Sequence, residues 1–223
     1  MDIKLFLKAI AKYFFGIILV GILLFIPAGS FDYWNAWLFM GLLFIPMFVA
    51  GIILMFKNPM LLKSRLDVKE KEKEQKQVIL CSGLMFLFGF IIAGLNYRFS
   101  WVILPNVVII IASILFLISY ILYAEVLREN TYLSRTIKVQ KNQKVVDTGL
   151  YGIVRHPMYS ITLILFLTMP LILGSLISFI IFLIYPFIIS KRIKNEEEVL
   201  ERELKGYKEY RKKVKYRLIP FVW

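Results

Sequence analysis

The chain has a single histidine, His156, and its surroundings hold the sequence's densest chemistry. It stands in the stretch Gly149-Leu-Tyr-Gly-Ile-Val-Arg-His-Pro-Met-Tyr159, where a polar, basic loop gives way to a long apolar run. Arg155 and His156 are the last Asp, Glu, Lys, Arg or His before Lys191. Pro157 suits the first turn of a helix, where its missing N–H costs nothing. The loop thus delivers an Arg, a His and a Tyr to a water–membrane boundary. A second polar cluster, Arg192 with Glu196 and Glu197, lies just past the end of the apolar run. If that run folds back on itself, the two clusters face each other and form one site. An inward carboxylate pair can hold a cationic ligand, and an arginine can hold a carboxylate. An aromatic face such as Tyr151 or Tyr159 can sit beside a positive sulfur or ammonium. His156 is the side-chain type suited to base work at neutral pH.

The plainer readings are a hydrogen-bonded loop histidine and an ordinary Arg192–Glu196 pair at i, i+4 on an interfacial helix. One His and one Cys without a shared motif make a poor ligand set, so no metal is expected. Gly149-x-x-Gly152 is no phosphate loop, because no strand precedes it. Cys81 lies in an apolar run and is expected as a small buried side chain, with no disulfide framework to join.

The elements that must position these groups are membrane helices. Of the 223 residues, 59% are hydrophobic, and the apolar residues come in blocks. Six segments free of charged residues and histidine can be marked: Tyr13–Ile26, Trp34–Phe56, Val78–Tyr97, Trp101–Ala124, Met158–Pro170 and Ser175–Ser190. The first becomes long enough to cross if Leu5–Ile10 extends it, with Lys4, Lys8 and Lys12 snorkelling. Pro27-Ala28-Gly29-Ser30 reads as a tight turn rather than a cleavage site, since Trp34 opens another membrane segment at once. The last run, Met158–Ser190, would be roughly 50 Å long as one helix, too long for a ~30 Å hydrocarbon core. Pro170 and Gly174-Ser175 interrupt it, so a hairpin is expected. From Lys191 the sequence reads as an amphipathic helix with Ile193, Leu200, Leu204 and Tyr207 on its apolar stripe. Glu196 and Glu197 fall within that stripe and Glu198 does not.

The expectation is therefore an all-α integral membrane helical bundle of about six transmembrane segments. The last two form a hairpin, and a cytoplasmic C-terminal amphipathic helix follows. Residues 1–125 would supply N-terminal helices with a cytoplasmic loop at 57–77, and 126–223 the functional core. Within that loop the alternating run Lys69–Glu74 reads as a solvated helix or connector. Basic residues gather at both ends of the chain and in the two large loops, whereas the remaining loops carry only Asp32 and Arg98. By the positive-inside rule both termini and both large loops are cytoplasmic, which demands an even number of crossings. Tyr33, Trp34, Trp37, Tyr97 and Trp101 would then form an aromatic belt at the outer interface. The net charge of +13 faces anionic lipid rather than nucleic acid.

The paired motifs resemble the isoprenylcysteine carboxyl methyltransferase family, which is related to membrane phospholipid methyltransferases. The resemblance rests on Gly-x-Tyr-x-x-Val-Arg-His-Pro-x-Tyr, a hydrophobic hairpin, and Arg192-Ile-x-x-Glu196-Glu197-x-x-Leu200. It continues through Gly206-Tyr207-x-x-Tyr210 and Tyr216-Arg217-Leu218-Ile219-Pro220. Upstream, Asn58-Pro59-x-Leu61-Leu62 and Glu129-Asn130-x-Tyr132-Leu133-Ser134 look like bacterial members.

The resemblance implies S-adenosylmethionine as methyl donor, bound by His156, Pro157, Met158, Tyr159 and Tyr151, with Arg155 beside them. It further implies contacts from Gln140, Gln143, Lys144, Val145 and Val146, and from Glu196 and Glu197. Arg192, with His156, would serve the reaction itself by meeting the acceptor. The implied function is carboxyl O-methylation of an isoprenylcysteine-like or other lipophilic acceptor, at the cytoplasmic face of a bacterial plasma membrane. Lipid-amine N-methylation and small-thiol S-methylation stand as alternatives. A transporter or scaffold fits less well, because ionisable groups at membrane depth are missing.

Overall fold

The computed structural model describes residues 3–66, 73–134, 137 and 139–223, with backbone alone at 73 and 74. Part of the alternating charge run, Lys69–Glu72, lies outside them, as do Arg135 and Lys138. The described residues form helices and loops: α1 (Ile3–Ala28), α2 (Trp34–Lys57), α3 (Pro59–Leu66), α4 (Lys73–Phe99), α5 (Asn106–Glu129), a 3₁₀ turn (Gly149–Gly152), α6 (Pro157–Ile172), α7 (Leu176–Phe182), α8 (Tyr185–Glu203) and α9 (Tyr207–Lys213). By length and composition α1, α2, α4, α5 and the pair α7–α8 can cross a membrane, and α6 is a shorter apolar helix. The protein is an integral membrane helical bundle.

Helices approach closely where side chains are small. A Cβ on Gly94 would lie 2.6 Å from the Leu24 carbonyl of α1, and one on Gly89 would lie 2.3 Å from the Phe182 ring of α7. Such contacts let packing, rather than hydrophobicity, join helices in lipid. Pro46 interrupts the bonding of α2. Beside it, Tyr120 of α5 donates to the Leu43 carbonyl at 2.8 Å and Tyr13 of α1 to that of Phe44 at 3.1 Å. Phe39, Phe90, Phe116 and Phe182 fill the centre of the bundle.

Several expectations are corrected. Helix α5 starts at Asn106 and not at Trp101. Pro105 disfavours helix before it, and the Asn96 side chain holds the Val102 backbone at both its N–H and its carbonyl. The last run holds a further break at Leu183–Ile184, ahead of Pro186, so it comprises three helices. The segment from Lys191 is no separate helix but the second half of α8, which leaves the apolar slab as it gains charge. That helix ends at Glu203, so Leu204 and Tyr207 are buried by a turn at Gly206 and by α9. Finally, Cys81 is exposed, and Tyr33 is buried rather than part of a belt.

The hairpin turn at 173–175 lies against the α1–α2 and α4–α5 connections. Tyr33 donates to the Leu173 carbonyl at 2.6 Å, Asn35 to that of Ile172 at 2.9 Å, and Asn96 to that of Gly174 at 3.4 Å. Carbonyls that a helix end leaves unbonded are thereby satisfied. This anchors α6 at one end and leaves its Pro157 end facing the opposite loops.

Candidate active site

Each wall of the site is built by local rules. Asn130 ends α5 and uses its amide twice: its Nδ2 donates to the Tyr151 hydroxyl at 3.0 Å, and its Oδ1 accepts from the Tyr132 N–H. Gln140 donates to the Tyr132 carbonyl at 2.6 Å and closes a turn with Gln143. Gly149 opens the 3₁₀ turn at φ +50°, and a Cβ there would lie 2.2 Å from Glu129 Oε1. Only glycine fits both demands. The turn aims Tyr151 inward, and Tyr210 of α9 donates to its carbonyl at 2.8 Å.

The His156 loop is held from outside by the tail. The N–H groups of Arg155 and His156 donate to the carbonyls of Tyr216 and Arg217 at 2.9 and 3.0 Å. Ser160 donates to the Leu218 carbonyl at 2.6 Å. The Arg155 guanidinium donates to the carbonyls of Val214 and Lys215 and, through Nε, to Glu197 at 2.6 Å.

The two adjacent carboxylates have different surroundings. Glu197 is 3% exposed. It accepts from Arg155, from Arg217 at 2.9 Å and lies 3.3 Å from His156 Nε2. Burial pushes its carboxyl up, but hydrogen bonds from His156 and Arg155 outweigh this and hold it down at about 2. Glu196 instead accepts from the Tyr159 hydroxyl at 2.5 Å, and Arg192 Nε donates to that same hydroxyl at 2.8 Å. The expected Arg192–Glu196 association thus passes through Tyr159. The His156 and Tyr159 rings stack 5.7 Å apart.

A cleft lies between these walls. Of the residues expected at the site, Gln143, Lys144, Val145, Val146, Tyr151, Arg155, His156, Met158, Tyr159, Arg192 and Glu196 line it. Gln140, Pro157 and Glu197 do not: Gln140 staples the loop, Pro157 starts α6, and Glu197 is enclosed by its partners. One end of the cleft is ionic, with Arg192, Glu196 and His156. The other is apolar, formed by Val145, Leu200, Leu204, Tyr207 and Tyr210. Sequence reading did not single out these last four as site residues, although Tyr207 and Tyr210 stand at i, i+3 on one short helix. Burial pushes both phenols well above their usual range, and the Tyr207 hydroxyl is buried with no hydrogen-bond partner among the described residues. A cationic group could be held at the ionic end and a flat apolar ring at the other.

Over 91 residues the chain is 30% identical to the Delta(14)-sterol reductase TM7SF2 of Mus musculus. That alignment covers 40% of this chain, and the chain spans only 22% of that relative's length. Residues 108–202 match the model of the isoprenylcysteine carboxyl methyltransferase (ICMT) family. The matched segment runs from α5 through the His156 loop and the hairpin to the carboxylates of α8. Over residues 108–202 the chain is similar to the isoprenylcysteine carboxyl methyltransferase family.

Proposed function

We propose that the protein is an S-adenosylmethionine-dependent enzyme that methylates the carboxylate of an isoprenylcysteine-like or other lipophilic acceptor. The observation that carries this reading is the Tyr159–Glu196 pair at the ionic end of a cleft whose other end is apolar and aromatic. The residues present fit such a cofactor. Glu196 offers a carboxylate to its positive charges, and Tyr207 and Tyr210, with Leu200, Leu204 and Val145, offer an apolar seat to its ring. Bound there, the cofactor supplies an electrophilic methyl group on a sulfonium.

The chain's own work is alignment and exclusion of water. A carboxylate acceptor is already ionised at neutral pH and needs no base. Arg192 orients it, while Tyr159 links that arginine to Glu196 so that both ends of the reaction are placed together. Met158 and the Gln143–Val146 segment close the cleft. Glu197 keeps Arg155 and His156 in place and does not meet the cofactor. The basic excess supports a site at the cytoplasmic face of a bacterial plasma membrane, where acceptor tails would dissolve in the inner leaflet.

A second reading rests on the His156–Glu197 contact. A thiol or amine acceptor must lose a proton, and an imidazole oriented by a carboxylate is a suitable base. Titration calorimetry of the detergent-purified protein with S-adenosylmethionine tests the first premise. Glu196→Ala should weaken binding by about ten- to a hundredfold, the worth of a charge-assisted contact. Arg192→Ala should spare binding and lower turnover, and the reverse pattern overturns the assignment. Radiolabelled methyl transfer to carboxylate, amine and thiol acceptors then separates the two readings.

A further inference from the structure

Among the described residues, two buried side-chain oxygens have no hydrogen-bond partner: Glu129 Oε2 and the Tyr207 hydroxyl. The Glu129 carboxylate accepts from Thr148 through its other oxygen and does not line the cleft. Tyr207 does line it and is 4% exposed. Its place is set by the turn before it. Gly206 takes φ +88°, a left-handed backbone that suits glycine, and the Tyr207 N–H donates to the Leu204 carbonyl at 3.2 Å. Tyr210, one turn further on, makes the contrast. Its ring lies 5.7 Å from that of Tyr207, but its hydroxyl donates to the Tyr151 carbonyl at 2.8 Å. Of two neighbouring phenols, the fold satisfies one and not the other.

A buried hydroxyl without a partner is destabilising, and buried tyrosines usually find one. Burial, reinforced by the Glu197 and Glu196 charges, keeps this phenol protonated, so it offers an O–H to what enters the cleft. Neither carboxylate accepts from it. The surrounding wall is Val145, Leu200, Leu204 and the already bonded Tyr210. An aliphatic tail in this seat leaves the hydroxyl as it is. A heteroaromatic ring brings flat faces for the same walls and nitrogen acceptors at its edge.

We propose that the Tyr207 hydroxyl donates a hydrogen bond to a ring nitrogen of the cofactor's purine, and that the protein itself gives this hydroxyl no other partner. Tyr207 thereby distinguishes a purine from an apolar tail of similar size. It lies beyond the family-matched segment, in the short helix that closes the apolar end of the cleft. The inference rests on the S-adenosylmethionine reading of the site.

The probes are S-adenosylhomocysteine and its 1-deaza, 3-deaza and 7-deaza analogues, each with one ring nitrogen replaced by C–H. Detergent-purified wild type is titrated first. Absence of S-adenosylhomocysteine binding there fails the cofactor reading and this proposal with it. Given binding, Tyr207→Phe should raise Kd about tenfold. With one of the three analogues, wild type and Tyr207→Phe should bind alike, because the missing nitrogen and the missing hydroxyl are partners. Without ligand, Tyr207→Phe should melt a few degrees above wild type, since it removes an unsatisfied buried group. Tyr210→Phe, which loses the Tyr151 bond, should melt below it. A tyrosine with a merely structural role does not weaken binding and raise stability when its hydroxyl is removed. Wild-type affinity in Tyr207→Phe overturns this proposal alone. So does a loss of affinity that persists with all three analogues, which moves the bond off the purine ring. A ligand-free Tyr207→Phe protein that is less stable than wild type, or does not fold, shows the hydroxyl already bonded to protein or water and overturns the proposal too.

Discussion

Glu197 and Glu196 are neighbours in sequence with opposite duties, and the difference is one of partners. Glu197, itself buried, neutralises the buried Arg155 and the partly exposed Arg217 and orients the histidine. Removing one member of such a cluster leaves uncompensated charge, typically at a cost of about 3–5 kcal/mol. Glu197→Ala should therefore lower the melting temperature steeply, whereas Glu196→Ala should leave it nearly unchanged; parallel thermal scans check this. The Glu197 carboxyl is held below its unfolded value, so its stabilisation is complete above about pH 4.5 and drains away as pH falls toward about 2. Glu197→Gln, already weakened at neutral pH, should lose less stability across that window than the wild type does, as acid titration of the melting temperature would show. From sequence, helical periodicity put both carboxylates on the inner face of α8, and that was legible. Which of them the arginines claim was not. It depends on the tail, which brings Arg217 and the Val214–Tyr216 carbonyls to the His156 loop across about sixty residues of chain.

At the scale of elements, hydrophobic runs located the apolar helices among the described residues, because runs free of charge are long and hard to mistake. Their ends were less legible. Trp101 to Leu104 are apolar enough for a helix, but Pro105 and the Asn96 side chain hold them extended. The break at Leu183–Ile184 has Pro186 as its only advertisement. The turn at Gly149 was read as the start of a functional loop but not as a packing necessity. Its strain is specific: left-handed backbone with a carboxylate where a Cβ would go. Gly149→Ala should cost about 1–3 kcal/mol and displace the turn that carries Tyr151. The expected result is loss of cofactor binding in a protein whose helical content by circular dichroism is unchanged.

For the whole molecule, the arrangement has a polarity. Loop contacts of Tyr33, Asn35 and Asn96 sit at one end of the bundle, and the cleft sits at the other. Lys144, Arg155 and Arg192 line the cleft at that end. A membrane-impermeant thiol reagent applied to intact cells, on a Cys81→Ser background, should label Ser30→Cys and leave Lys213→Cys unlabelled until the membrane is opened. Labelling of Lys213→Cys in sealed cells would invert the proposed orientation.

The strap formed by Val214–Leu218 has a consequence for biosynthesis. The His156 loop reaches the translocation machinery long before the residues that clamp it have been made. Between those moments α6, α7 and the first half of α8 must enter the bilayer, and the tail must then return to the loop's edge. Assembly of the cleft is thus gated by completed insertion of the hairpin. A nascent or misinserted chain has its arginines and carboxylates but no enclosed site.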